Sequence, residues 1–220
     1  MEPTRLHDEQ TSHYDSVYAA WADPISKFGG SANRFKFAPF VQRVGRIIDY
    51  GCGAGYLLAG LDVPEKLGIE INAAARERAA ANGIQTVADI AEVPDDWADA
   101  IISNSVLEHV LRPYDELRRL RAKVRPGGRF VFVVPHEIRS RYKTDDINQH
   151  LYTWSPASAG NLFGAAGFTV ERVDSIRHAW PPGYAKLREI IGSRGFYAVA
   201  RTYGLVHRTR SIRVVAVRPE

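Results

Sequence analysis

IIDYGCGAGYLL, residues 47–58, is an apolar run that ends in an acid, turns through three glycines and leaves as an apolar helix start. Strand, glycine turn, helix is the order of a parallel α/β unit. The glycines allow a tight turn and let a ligand approach backbone that carries no side chain. Their spacing is G-x-G-x-G, one residue shorter than the G-x-G-x-x-G of dinucleotide sites. Asp49 stands where the chain enters that turn, and its charge would repel a pyrophosphate. A glycine cluster alone is weak, because many strand–helix turns use glycine structurally.

Two acids downstream add weight. Glu70 ends the next apolar run, where a carboxylate can accept both hydroxyls of a ribose. Asp89 follows the third run, where a carboxylate can accept from an exocyclic amine. Singly, Glu70 could neighbour a helix N-cap and Asp89 could be a plain turn residue. Together, at the ends of successive strands, they are harder to dismiss.

Working outward, strand-length runs at Arg46–Tyr50, Lys66–Ile71, Ile84–Val87, Ala100–Ser103 and Arg129–Val134 alternate with helix-compatible Tyr56–Gly60, Ala73–Asn82 and Tyr114–Val124. That alternation predicts a parallel sheet covered on both faces. Ser155 caps a helix over Ser155–Ala166 with Pro156 at its first position. Phe168–Ile176 and Ser211–Val217 read as strands closing an antiparallel, hairpin-like edge. Tyr184–Ser193 reads as a helix within a long insert. Before residue 44 the pattern is of short helices, broken at Asp23-Pro24 and Gly29-Gly30.

A chain of 220 residues makes one domain the expectation. It divides into a helical cap (1–44), a core (45–176), a lid-like insert (177–210) and a final strand (211–220). One cysteine rules out an intrachain disulfide and fits a reducing, cytoplasmic setting. Met1–Gln10 carries three acids and no apolar centre, unlike a signal peptide. The longest uncharged stretch, Leu151–Val170, holds a proline, three glycines and several hydroxyls, unlike a membrane span. No membrane insertion is expected. The net charge of +4 hides an asymmetry: residues 1–111 hold 9 Lys+Arg against 16 Asp+Glu, residues 112–220 hold 20 against 9.

The chain resembles the class I S-adenosylmethionine-dependent methyltransferases, from about Val44 to Pro135 and more loosely to residue 176. The resemblance rests on DYGCGAG (49–55), GIEI (68–71), ADI (88–90), DAIISNSVLEHV (99–110) and LRAKVRPGGRFVFVVP (120–135). It implies a three-layer, Rossmann-like, seven-stranded sheet, mostly parallel with an antiparallel last strand. It implies S-adenosylmethionine as cofactor. Asp49, Gly51, Cys52 and Gly53 would surround its methionine part and Glu70 its ribose. Ile71 would pack on the adenine, Asp89 and Ile90 read the adenine edge, and Asn104 touch the amino-acid portion. A sulfonium and an ammonium with no phosphate suit an acidic turn.

Methyl transfer is an in-line displacement that rests mainly on positioning, with a general base where the acceptor is a hydroxyl. Candidate bases are His109, His136 and His150; each could equally be a packing residue. Related enzymes bind a divalent cation through E-x-x-E-H after the fourth strand; Ser105 replaces the first ligand here, so no metal is expected. Tyr14 and Trp21, with Tyr18, recur at helical spacing as core or as lining of a substrate lid. Arg34 and Lys36 could pair with the cofactor carboxylate or lie on the surface. N-P-P-Y and any aromatic-basic ribbon are absent, so nucleic acid is not the expected partner. Arg139, Arg141 and Lys143, with Arg177 and His178, suggest an anionic small-molecule acceptor: the hydroxyl of a nucleotide- or lipid-linked sugar or metabolite. A methyltransferase of protein or RNA, a non-catalytic cofactor-binding relative, and a nicotinamide oxidoreductase remain the alternatives. A homodimer is compatible with the sequence.

Overall fold

A computed structural model describes residues 25–137, 148–208 and 210–220. Seven strands form one sheet in the order β3-β2-β1-β4-β5-β7-β6. They are β1 (Arg46–Tyr50), β2 (Glu65–Ile69), β3 (Gln85–Val87), β4 (Ala98–Asn104), β5 (Val124–Pro135), β6 (Thr169–Ile176) and β7 (Ser211–Val217). The helices are α1 (residues 25–33), α2 (Tyr56–Ala59), α3 (Ala73–Ala81), α4 (Pro113–Lys123), α5 (Pro156–Ala165) and α6 (Tyr184–Val206). The expected α/β, Rossmann-like sheet is present.

The chain divides into two compact units: described residues 25–103 with 122–125, and 104–121 with 126–220. In the first, β1 pairs parallel with β2 (Ile48 opposite Leu67) and with β4 (Ile48 opposite Ile101). Ile47, Ile48, Ile101 and Ile102 are fully buried, because a strand covered on both faces has no polar side. The sheet order reverses between β1 and β4, so their carboxyl ends form the switch point where ligands bind in such sheets. Ser103 Oγ donates to Tyr50 O at 2.9 Å and ties those two ends together.

At the other end of β1, Asp99 accepts from the backbone N–H groups of Gly45 (2.6 Å) and Arg46 (2.9 Å) and pairs with Arg125. Desolvation pushes its pKa up, but the Arg125 and backbone hydrogen bonds outweigh that and hold it below the usual carboxylate value. This acid is a structural clasp.

In the second unit, β7 runs antiparallel to β5 (Val131 opposite Val215) and to β6 (Val173 opposite Val214). The antiparallel last strand is as expected. It is not at the edge, however: β7 inserts between β5 and β6, and β6 takes the edge. Its core is aromatic: Phe130 meets Phe168 edge-on at 4.4 Å and Phe132 meets Phe163 at 5.3 Å.

Two expected helix breaks are absent. Helix α1 runs through Gly29-Gly30. A Cβ on Gly30 would lie 2.5 Å from Tyr56 Cβ, so this glycine serves a close approach of two helices and not a turn. Helix α6 continues 13 residues past Ser193, to Val206, kinked where Gly192 takes φ 69° and ψ 175°. The insert is thus mostly one long bent helix.

Candidate active site

The turn after β1 is held by β2. Gly51 N–H and Cys52 N–H both donate to Ile69 O, at 2.8 and 3.2 Å. Cys52 is buried beneath it, against the face of β2 where Gly68 lies. Burial, first, and then the charges of Asp49 and Glu70 push its thiol far up, so it stays protonated and acts as a small packing group. A Cβ on Gly68 would sit 2.3 Å from Cys52 Sγ and 3.0 Å from Thr86 Cγ2. We therefore expect Gly68→Ala to destabilise the chain by about 1–3 kcal/mol and to weaken cofactor binding. Adding Cys52→Ala should restore part of both. Thermal denaturation of the single and double variants checks this, and additive losses would contradict it.

Glu70, just past β2, reaches back over the turn. Its Oε2 accepts from Gly53 N–H at 2.8 Å and its Oε1 from Asn72 N–H at 2.9 Å. Each oxygen keeps a second lone pair, enough for two ribose hydroxyls. Arg76 fixes the backbone behind it, donating to Glu70 O (2.8 Å) and Ile71 O (2.7 Å). Ile71 is 42% exposed, an apolar face available to a planar ring.

Asp49 is 2% exposed at the carboxyl end of β1. Burial, first, and then Glu70 raise its carboxyl well above the ordinary value. Burial raises Glu70 too, against the opposing hydrogen bonds from Asn72 and Gly53. Two crowded acids of this kind favour a cation beside them. Asn104 closes β4, and its Oδ1 is buried without a hydrogen-bond donor among the described residues. An ammonium would satisfy that oxygen. In the first unit, Glu70 and Asp49 thus suit a ligand with a ribose and a positive charge.

Asp89 and Ile90 fit less simply. Asp89 caps the short 3-10 turn Ile90–Glu92, its Oδ1 accepting from Ala91 N–H at 2.7 Å, so its turn role is real. Its exposed carboxylate can still meet a ligand amine. Ile90 is 2% exposed, so only its backbone can face an adenine edge. Arg34 lies on the surface, donating to Gly60 O at 3.0 Å, whereas Lys36 is buried. Tyr14, Trp21, Tyr18, Arg139, Arg141 and Lys143 lie outside the described residues.

The second unit gathers the histidines. Glu108 O accepts from Leu151 N–H (2.8 Å) and Tyr152 N–H (3.3 Å), which brings His150 beside the turn Leu107–His109. The rings of His109 and His150 meet edge-on at 4.8 Å. His150 Nδ1 pairs with Glu137 Oε1 at 3.0 Å, so its Nε2 is the nitrogen turned to other partners. His136 Nδ1 lies 2.6 Å from Trp154 O. A carbonyl only accepts, so that nitrogen carries a proton and Nε2 is the nitrogen left for other partners. Glu137 was not legible in the sequence, since its partner lies thirteen residues on and no spacing rule joins them.

Glu108, His109 and His150 place one potential ligand atom each within 4.8 Å of one another. The sequence expectation of no metal counted Glu108 and His109 only; the fold adds a third candidate. His178, expected at an acceptor loop, is instead buried against Phe196 and Tyr197 of α6. Much of the later basic excess is internally engaged: Arg121 donates to Gly167 O, and Lys123 and Arg125 pair with Asp95 and Asp99.

The sequence pattern of a methyltransferase-domain family matches residues 14–173. The chain belongs to that family. Its class I members are S-adenosylmethionine-dependent enzymes, and the acidic, phosphate-averse turn described above suits that cofactor. The ubiquinone biosynthesis O-methyltransferase of Alkalilimnicola ehrlichii is 27% identical over 146 residues, covering 58% of this chain and 59% of that protein. Its counterpart in Aeromonas salmonicida is 26% identical over 164 residues, covering 61% and 67%. The chain thus matches about three fifths to two thirds of these relatives' length. Among solved structures, the Burkholderia thailandensis 1,6-didemethyltoxoflavin-N1-methyltransferase, with 1,6-didemethyltoxoflavin and S-adenosylhomocysteine bound, is similar with a TM-score of 0.69. At 18% identity, over 100% of this chain and 92% of that one, it shares the methyltransferase fold.

One consequence of the two crowded acids is a pH dependence. A carboxyl raised in the folded state stabilises the fold fully below its unfolded value. That contribution is lost as pH rises through its folded value. A cationic ligand reverses the preference and draws both acids to the ionised form. S-adenosylmethionine affinity should therefore rise with pH through that range, with protons released on binding. Calorimetry in two buffers of different ionisation enthalpy reads the release. Identical heats in both would contradict it.

Proposed function

We propose that this methyltransferase moves a methyl group from S-adenosylmethionine to a hydroxyl of a small-molecule acceptor. The observation that carries the hydroxyl assignment is the Glu137–His150 pair at 3.0 Å. A hydroxyl acceptor must lose a proton as it is methylated, and a carboxylate-oriented imidazole is the ordinary device for taking it. The two curated relatives, both named O-methyltransferases, support the same reading.

Bound S-adenosylmethionine supplies the methyl group, carried on a sulfonium sulfur. Glu70 would hold its ribose hydroxyls, Asp49 would favour its positive charge, and Asn104 would accept from its ammonium. His150 Nε2 would take the acceptor proton, Glu137 stabilising the imidazolium through Nδ1. His136, with the same free Nε2, is the second candidate base. The acceptor we propose is anionic, nucleotide- or lipid-linked. Arg139, Arg141 and the exposed Arg177 are the basic residues proposed to recognise it.

A second reading is favoured by the Glu108, His109 and His150 cluster. A divalent cation there would act as a Lewis acid and lower the pKa of an acceptor hydroxyl. In that case Glu137 would orient His150 as a ligand, not as a base.

The test is a screen of phenols, hydroxylated metabolites and sugar nucleotides with methyl-labelled cofactor, with and without a chelator. We expect label on oxygen of an anionic or lipid-like acceptor. Label on nitrogen, or on protein or RNA, would overturn the hydroxyl assignment. Loss of turnover with chelator, restored by manganese or magnesium, would select the metal reading.

A further inference from the structure

Helix α6 carries six of the eleven large apolar side chains that are exposed among the described residues: Ile190, Ile191, Tyr197, Val199, Leu205 and Val206. Ile190 and Val206 are each 72% exposed. The opposite face of the second half is settled. Phe196, Ala200 and Gly204, four residues apart, are buried. Ala179 N–H donates to Ala200 O at 3.1 Å, and a Cβ on Gly204 would lie 2.8 Å from His178 N. That contact leaves no freedom to turn the outer residues inward.

The outer surface has two rows. Val199 and Val206 are seven residues apart and share one edge of that surface; Arg194 and Arg201, also seven apart, form a basic row along its other edge, with Leu205 between. Arg208 follows just past the helix, and Lys186 and Arg188 lie in the first half. Over residues 184–208 the five Lys and Arg side chains face a single acid, Glu189. A helix with apolar residues on one face and basic residues flanking them has the composition of one that lies in a lipid interface.

We propose that the outer face of α6 docks on an anionic phospholipid surface. The charge decides among occupants. A second copy of the chain would set two strongly basic faces against each other, which like-charge repulsion opposes. An anionic surface complements them. No helix among the described residues is long and apolar enough to cross a membrane, so the helix lies along the surface. Val199, Leu205 and Val206 enter the acyl boundary while Arg194, Arg201 and Arg208 meet phosphates. This inference stands apart from the identity of the methyl acceptor and does not depend on it.

The test is sedimentation of the full chain with phosphatidylcholine vesicles and with vesicles of mixed phosphatidylcholine and phosphatidylglycerol. We expect binding to the mixed vesicles only, weakening steeply with salt. The pair Val199→Glu and Val206→Glu should weaken it by about tenfold or more, as should Arg194→Glu with Arg201→Glu. All four side chains are exposed, and unchanged thermal denaturation and S-adenosylmethionine affinity would show the fold intact. No binding of the unaltered chain to the mixed vesicles would overturn the proposal. So would binding that survives Val199→Glu with Val206→Glu. A dimer in lipid-free solution that these substitutions break would make the face a contact between copies, and would overturn it too.

Discussion

Glu70→Ala should lower S-adenosylmethionine affinity by about 100-fold or more. Two hydrogen bonds from ribose hydroxyls to an ionised carboxylate are together worth several kcal/mol, and tenfold in affinity is about 1.4 kcal/mol. The substitution also frees Gly53 N–H and Asn72 N–H, which Glu70 holds at 2.8 and 2.9 Å, so the turn loosens where the ligand would sit. The ligand-free fold should lose less, because the lost hydrogen bonds are partly offset by removing an acid whose burial disfavours its charge. Calorimetric titration beside thermal denaturation separates the two effects. Affinity within threefold of the unaltered protein, with the fold intact, would remove Glu70 from the cofactor site.

His150→Ala should lower turnover by about 10²–10⁴-fold, the usual contribution of a positioned general base. Cofactor affinity should not change, since the proposed role of His150 is toward the acceptor proton and not toward the cofactor. Glu137→Gln should cost less, about tenfold, and should move the acidic limb of the pH–rate profile, because an amide cannot stabilise an imidazolium as a carboxylate does. Glu137→Asp should recover part of the rate. The measurement uses whichever acceptor the labelling screen finds. If Glu137→Gln lowers the rate with no change of pH profile, Glu137 is a structural partner only. If His136→Ala costs more than His150→Ala, the base is His136.

What could be read ahead of the structure follows a physical division. Strands β1 and β7 end where the apolar runs end, because local pattern and burial agree there. The turn 49–55 and its acid Glu70 were legible because a parallel sheet puts the ends of neighbouring strands together. Gly30 misled, since a glycine that permits helix contact is indistinguishable from one that breaks a helix until Tyr56 is seen beside it. Helix α6 was read too short for the same reason: Gly192 kinks it without ending it. The place of β7 between β5 and β6 is a long-range pairing that alternation cannot encode.

The site divides similarly. Asp49, Glu70 and Asn104 sit where strand order puts them. Asp89 was ambiguous between ligand and cap, and its bond to Ala91 N–H shows the cap. The Glu137–His150 pair and the grouping of His150 with Glu108 and His109 depend on Glu108 O capturing Leu151 and Tyr152 across forty residues. No spacing rule reports such a contact. The charge asymmetry also changed meaning: several late basic residues brace strands and helices, while Arg194 and Arg201 on α6 stay exposed.

We propose that the glycine turn after β1, framed by Asp49 and Glu70, is built for a sulfonium nucleoside and against a pyrophosphate. Calorimetric titration of the full chain with S-adenosylmethionine and, separately, with NAD decides between the two. We predict one-to-one binding of S-adenosylmethionine, with protons released to the buffer, and no heat with NAD. Binding of NAD, or no binding of S-adenosylmethionine, would contradict the account.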